Sequence, residues 1–271
     1  MSIKVIPQLS IITINLNNEE GLRKTINSVL SQTWKDFEFI VIDGGSTDGS
    51  KAVLEQSKKD IAFWISENDS GVYNAMNKGI AKARGNYLLF LNSGDYLYSE
   101  NVLQEFFSDQ SDQDLIYANI FVADSLKSWV KRYPAELTFG YFLRETLPHP
   151  ATLINRLLFN KVGVYNESNK VVSDWEFFMN SICLHQASYK YLNFTATVFH
   201  LDGMSSKEEN AGLITDEKNS ILFKYYGAFL ADYSRSEKNR SDLKRYNNSR
   251  LHKFINKIMK TAIYKFLVSF A

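Results

Sequence analysis

Short apolar runs recur along the first hundred residues, each followed by a polar cluster and then by apolar positions at helical spacing. Leu9 to Ile14 (LSIITI) is a continuous, largely β-branched run, and Glu19 to Leu30 follows with Leu22, Ile26, Val29 and Leu30 along one stripe. Phe37 to Ile42 (FEFIVI) repeats the strand signal, and Ser46, Thr47 or Asp48 is placed to cap a helix reaching about Lys58. Ala62 to Ile65 as a strand, Tyr73 to Ala83 as a helix and Tyr87 to Leu91 as a fourth strand complete the series. Apolar strands alternating with helices of this length predict parallel βαβ units with right-handed crossovers. Ligands bind such sheets at the carboxyl ends of the strands, and the clusters TINLNN, DGGSTDGS, ENDSGVYNAMN and NSGD all lie there.

Beyond Asp95 the periodicity weakens. Asp114 to Ala123, Ser128 to Tyr133 and Ala151 to Asn155 read as strands, Asp174 to His185 as a helix opened by an acidic turn, and Tyr189 to His200 as a long strand. From Ser206 the chain turns helical and polar. The organisation expected is a domain over residues 1–205 and a helical extension over 206–271. From Arg235 onward ten basic residues stand against Glu237 and Asp242, and Leu251, Phe254, Ile255 and Ile258 begin an apolar stripe on the opposite face. Such a helix suits an anionic membrane surface, and it suits equally well packing on the domain or self-association with a second subunit.

Composition narrows the functional classes. With 45% hydrophobic and 14% aromatic residues, the 271-residue chain can bury a substantial core. Lys plus Arg (31) nearly balance Asp plus Glu (30), which argues against nucleic acid as a partner. Cys183 is the sole cysteine, so an internal disulfide and a thiolate zinc site are excluded. No run approaches the roughly 20 apolar residues that span a bilayer, and the start lacks the pattern of a secretory leader. A cytoplasmic protein is expected, with contact at the inner face of the membrane left open.

Two clusters carry candidate chemistry. DGGSTDGS (Asp43 to Ser50) ends a strand and opens a helix, where glycines admit a ligand to the backbone and Asp43 can accept from a base or ribose; a capped tight turn is the plain alternative. It is neither GxGxxG nor GxxxxGK[ST], which weakens a dehydrogenase or an ATPase. In NSGD, Asp95 can bind Mg²⁺ or Mn²⁺ with few protein ligands, since such ions keep waters and take phosphate oxygens; an Asx turn would use the same residues structurally.

Taken in order, LSIITINLNNEEGLRKTINSVLSQTWKDFEFIVIDGGSTDGS and SENDSGVYNAMNKGIAKARGNYLLFLNSGD resemble the nucleotide-sugar-binding half of family 2 glycosyltransferases. The resemblance is dense from Leu9 to Leu97 and thinner to about Ser205. It implies the GT-A fold: α/β, with a Rossmann-like, mostly parallel central sheet flanked by helices, a donor half to about residue 97 and an acceptor half over 98–205. It further implies an inverting transferase that moves a sugar, commonly from a UDP-linked donor, to a glycan or lipid-linked saccharide. By the same resemblance Asp43 contacts the nucleobase, Thr13, Asn15, Asp69, Asn77 and Ser93 line the donor cleft, and Asp95 is the last acid of a D-x-D metal motif. Ser93 stands where that motif carries its first acid, so the burden falls on Asp95.

Inversion needs a base opposite the leaving diphosphate. The family's acid-acid-aromatic turn matches SDWEFF, giving Asp174 as base, with Trp175 and Glu176 beside it and Glu176 as fallback; an N-cap with core aromatics is the structural alternative. His149 (HPATLI) and His200 (FHLDGMS) are further candidates for the acceptor or diphosphate side. A sugar nucleotidyltransferase and a non-catalytic nucleotide-sugar-binding module remain the rivals. The first would want a glycine-rich basic loop that TINLNNEEG does not supply.

Overall fold

The computed structural model describes residues 6–108, 111–124, 127–201, 203 and 207–248. The chain runs β1 (Leu9–Asn15), α1 (Glu19–Leu30), β2 (Phe37–Asp43), α2 (Ser50–Ser57), β3 (Phe63–Ser66), α3 (Val72–Lys82) and β4 (Tyr87–Phe90). It continues through β5 (Tyr96–Leu97), α4 (Val102–Phe107), β6 (Leu115–Ala123), β7 (Trp129–Lys131), α5 (Phe139–Phe142), β8 (Thr152–Asn155) and α6 (Leu158–Val162). α7 (Ser173–Cys183), β9 (Tyr189–His200) and α8 (Ala211–Asn248) complete it.

β1 and β4 are buried at every position, which is why their sequences read as unbroken apolar runs rather than alternating ones. The sheet has the order β3-β2-β1-β4-β8-β6-β9-β5, with β7 paired to β6. Pairing is parallel from β3 through β4, then antiparallel at β4–β8 and β8–β6. The expected parallel sheet therefore describes the first half, and the second half is mixed. Parallel register sets Asn15 beside Asp43 at the ends of β1 and β2.

Local bonds fix the helix starts that border the strand ends. Asn18 Oδ1 accepts from Gly21 N at 3.0 Å, while Asn18 Nδ2 donates to Ser93 O at 3.1 Å, joining the start of α1 to the turn after β4. Asp48 accepts from Ser50 N and from Glu19 N, both at 2.9 Å, so a single carboxylate serves the starts of α2 and α1. Under the sheet ends, Phe90 stacks on His149 with ring centroids 4.8 Å apart and meets Tyr165 edge-on at 5.5 Å. Phe159 stacks on Phe177 at 4.6 Å within the same cluster. Fully buried rings of this size each contribute about 3 kcal/mol of burial.

At the opposite end of the strands, buried Glu38 accepts from Ser10 Oγ at 2.7 Å, from Arg84 N at 2.6 Å and from the Arg84 guanidinium at 2.6 and 2.8 Å. Burial alone would raise its pKa, but these donors together hold the carboxyl below its usual range. A lowered folded pKa gives stability that is present above the unfolded value and lost as pH falls through the folded one. Acid denaturation monitored by circular dichroism should show this loss. Glu38→Gln should reduce stability at neutral pH by about 2 kcal/mol, as for a charge-assisted bond left unmade, and flatten the acid limb. An unchanged acid limb in the variant would discount Glu38.

The chain divides into two compact units at Lys218/Asn219, so the first turns of α8 belong to the sheet-bearing unit. The second unit is described only as the remainder of α8 to Asn248. The basic apolar stripe anticipated from Leu251 onward lies outside the described residues. Among those described, no helix is long and apolar enough to cross a membrane.

Candidate active site

A cleft of about 600 Å³ opens at the carboxyl ends of the strands. Asn15 reaches it from the end of β1, Asp69 from the loop before α3, and Asn92, Ser93 and Asp95 from the turn after β4. Across from these, His149, Asp174 and His200 supply the wall built by the second half of the sheet. The sheet thus gathers residues separated by more than a hundred positions, as strand-end logic requires.

Backbone geometry explains the glycines of these loops. A Cβ on Gly44 would lie 2.5 Å from Asp69 Oδ2, so glycine lets the carboxylate settle over the turn after β2. Asp69 Oδ1 accepts from Gly71 N at 2.9 Å. In NSGD, Gly94 has φ of 106°, and Asp95 N donates to Asn92 O at 3.0 Å, closing a tight turn. Thr25 Oγ1 donates to Asp95 O at 2.7 Å and anchors the turn to α1. Asp95 is 7% exposed at the cleft, and Asn92 Oδ1 is buried without a hydrogen-bond partner. Among the described residues, no group of three or more His, Cys, Asp or Glu side chains is arranged to hold a metal.

Asp174 lies in the first turn of α7. Tyr73 from α3 places its hydroxyl 2.9 Å from Asp174 Oδ1 and 2.7 Å from Val171 O. Burial first, then the charge of Asp174, pushes the Tyr73 phenol well above its ordinary range, so it keeps its proton. Glu217, in the first turns of α8, accepts from three successive backbone N–H groups of the loop before α7: Lys170 at 2.6 Å, Val171 at 3.1 Å and Val172 at 3.2 Å. Lys218 then covers the Trp175 ring at 5.0 Å. The first turns of α8 therefore brace the loop that presents Asp174.

Several residues singled out in the sequence carry bonds within the fold. Asp43 is fully buried and does not line the cleft; it accepts from Asn15 Nδ2 at 2.7 Å, Ser46 N at 3.0 Å, and the hydroxyls of Ser46 and Ser66 at 2.5 Å each. Burial works to raise its pKa, but these donors hold the carboxyl below the usual range. Thr13, also fully buried, donates to Leu91 O at 2.7 Å between β1 and the end of β4. Asn77 exchanges bonds with the backbone of Tyr165, Nδ2 to O at 2.8 Å and N to Oδ1 at 3.0 Å, and so substitutes for a strand partner. Trp175 Nε1 donates to Phe142 O at 2.7 Å, and Glu176 accepts from Asn169 Nδ2 at 2.7 Å. His149 does border the cleft, yet its Nε2 lies 2.8 Å from the Tyr165 hydroxyl, and burial lowers its pKa so that the ring is neutral. His200 packs against Tyr96 with centroids 5.9 Å apart.

Residues 10–173 match the model of a known family, Glycosyl transferase family 2. The chain belongs to that family. A PGL/p-HBAD biosynthesis glycosyltransferase of Mycobacterium bovis is 30% identical to it over 177 residues, 63% of this chain and 68% of that protein. An uncharacterized glycosyltransferase of Mycobacterium tuberculosis is 35% identical over 182 residues, 65% of this chain and 69% of its own length. Among solved structures, TarS of S. aureus in complex with UDP superposes with a TM-score of 0.60 at 18% identity, covering 71% of this chain. A mannosyltransferase of Pyrobaculum calidifontis in complex with GDP-Man and Mn²⁺ gives 0.57 at 12% identity over 75% of this chain. The chain spans 60% and 59% of those two structures, and they establish the fold, a mixed α/β sheet of the GT-A type.

For this family 2 glycosyltransferase, sequence patterns did not bring Tyr73, Tyr165 or Glu217 forward. Tyr73 stands in the quoted SGVYNAMN segment, but its partner lies 101 residues away. Glu217 sits on a polar helix face that carries no motif.

Proposed function

We propose that this glycosyltransferase is an inverting enzyme that transfers a sugar from a nucleotide-diphosphate donor, of the UDP type, to a glycan or lipid-linked saccharide acceptor in cell-surface polysaccharide synthesis. The observation that carries this reading is the meeting of Asp174, at the start of α7, with the strand-end residues Asn15, Asp69 and Asp95 around one cleft. In the reaction, the acceptor oxygen attacks the anomeric carbon as the bond from that carbon to the diphosphate oxygen breaks. Asp174 takes the acceptor's hydroxyl proton, and the diphosphate leaves with the bonding pair. Tyr73 donates to one carboxylate oxygen and so orients the other for that proton. Glu217 keeps the loop before Asp174 in place through its three N–H bonds. Lys170 and Lys207 at the cleft rim supply positive charge toward the diphosphate.

The residues fit a hard divalent cation. Asp95, together with the unpaired oxygen of Asn92, offers the oxygen donors that Mg²⁺ or Mn²⁺ prefers, and a diphosphate and waters make up the remainder. A bound cation would neutralise charge on the leaving diphosphate. The UDP and GDP-Man complexes of the structural relatives, the second with Mn²⁺, support a nucleotide-sugar donor. A lipid-linked acceptor would place the protein at the cytoplasmic face of the membrane.

Incubation with a panel of labelled nucleotide sugars, Mn²⁺ or Mg²⁺ and membrane-extracted acceptors tests the reading. Labelled glycoside with inverted anomeric configuration is expected. Retained configuration overturns the single-displacement mechanism, pyrophosphate-dependent nucleotide exchange would indicate a nucleotidyltransferase, and donor binding without any product would indicate a binding module. Tyr73→Phe keeps the ring and loses one bond to a charged group; it should lower kcat about tenfold with donor KM unchanged. A rise in KM with kcat intact would make Tyr73 a donor-cleft residue instead.

A further inference from the structure

We infer that the row Phe199, Val122, Trp129, which crosses β9, β6 and β7 from the cleft to the edge of the sheet, carries the acceptor's saccharide chain, with the Trp129 indole stacked on a sugar unit beyond the one that reacts. This rests on the reaction proposed above and gives its acceptor a place on the surface.

Strand register makes the row. Val122 of β6 is paired with Phe199 of β9 on one side and with Trp129 of β7 on the other, and residues paired in this way project from the same face of a sheet. One step back along the strands, Thr197, Ile120 and Lys131 form the next row on that face. Thr197 Oγ1 donates to Pro150 O at 2.6 Å, and Pro150 lines the cleft as Phe199 does, so the row lies on the face that the cleft occupies. Val122 in the middle is 2% exposed, whereas Trp129 at the outer end is 39% exposed.

Two strand spacings, about 10 Å in all, separate the backbone at the ends of the row. That span exceeds one pyranose ring. An acceptor whose hydroxyl meets Asp174 in the cleft therefore reaches Trp129 only with a second or later sugar unit. A single apolar residue at the surface needs no explanation, but an indole that continues a row out of a binding cleft has a position that a ligand can use.

The chemistry at the outer end suits a sugar. A pyranose has a face of C–H groups and a rim of hydroxyls, and the negative face of an indole attracts the C–H groups. Lys131 and Glu145 form an ion pair at 2.8 Å on the same face, which offers donors and acceptor oxygens to the hydroxyls. Other occupants fit this edge less well. Lys127, Lys131 and Arg132 stand along or beside β7, and like charges brought opposite one another oppose its pairing with a second copy of the chain. Glu145 neutralises one of the cations that an anionic lipid surface would use.

Transfer kinetics of the full chain on size-fractionated glycans, released from membrane-extracted acceptor, test the proposal. Trp129→Ala should raise KM about tenfold for fractions of two or more sugar units, with donor KM unchanged, as for a lost aromatic contact, and should leave KM for single units at the wild-type value. An unchanged KM for the longer fractions overturns the proposal while the donor and base assignments stand. An equal rise for single units would put Trp129 at the reacting sugar and overturn its distal placement. No transfer by the wild type from any nucleotide sugar removes the proposed reaction, and the platform with it. Trp129→Leu keeps an apolar side chain beside Val122 and drops the aromatic face; it should behave as Trp129→Ala does, and a wild-type KM in it would reduce Trp129 to packing. Wild-type glycan kinetics in Trp129→Ala together with lost sedimentation on phosphatidylglycerol vesicles would make this edge a membrane contact instead.

Discussion

Asp174→Asn should bind UDP as the wild type does and lose transfer, with the rate down by roughly 10²- to 10⁴-fold, the range for a deleted general base. The substitution is nearly isosteric, and the new amide oxygen can still accept from the Tyr73 hydroxyl now 2.9 Å from Asp174 Oδ1. The fold around α7 should persist, because the loop before it is held by Glu217 rather than by Asp174. Calorimetry with UDP and single-turnover transfer from a labelled donor separate the two effects. Full transfer by the variant would remove Asp174 from the mechanism and shift attention to Glu176, which the structure sets behind it against Asn169.

The second large effect is expected at Asp95. Asp95→Ala should abolish the Mn²⁺-dependent part of donor affinity, a loss of at least about tenfold or 1.4 kcal/mol, while metal-free UDP binding is unchanged. Thermal shifts with UDP alone, Mn²⁺ alone and both together read this directly, since a ligand that binds only the folded state raises the melting temperature. Asp95→Asn serves as a companion because the side chain is buried in the turn and truncation leaves space there. A Mn²⁺ titration identical to the wild type in both variants would exclude Asp95 as a metal ligand.

The first half of the fold was legible because β1, β2 and β4 are almost wholly buried and α1 and α3 are amphipathic, so each of these elements announces its own period. β1 and α1 begin where the pattern starts them. Past Asp95 the signals fade for physical reasons. β5 is two residues long, α5 is four, and β7 is a three-residue strand exposed at two positions, all too short to show a period. The mixed pairing of β8 depends on partners far away in the chain.

At the site, residue types were legible but their partners were not. Asp43, Thr13 and Asn77 stand at strand ends or helix faces beside the cleft, and in each case the polar group is taken by backbone or by neighbouring side chains. A sequence shows that a polar residue is near a ligand site; whether its lone pairs are already used depends largely on contacts across 23 to 88 positions. Asn92 enters the sequence reading as a turn former and as a helper of Asp95, and its unpaired oxygen becomes visible once burial is known.

The Tyr73 hydroxyl faces two acceptors, Val171 O and Asp174 Oδ1, with a single hydrogen to share. While Asp174 is ionised, one of them goes unserved at any instant. The phenol hydrogen is therefore divided between the carboxylate and the carbonyl, and its hold on Asp174 depends on where the loop before α7 keeps Val171 O. Because Glu217 fixes that loop through three N–H bonds, a residue in the first turns of α8 sets how much of the Tyr73 hydrogen bond Asp174 receives.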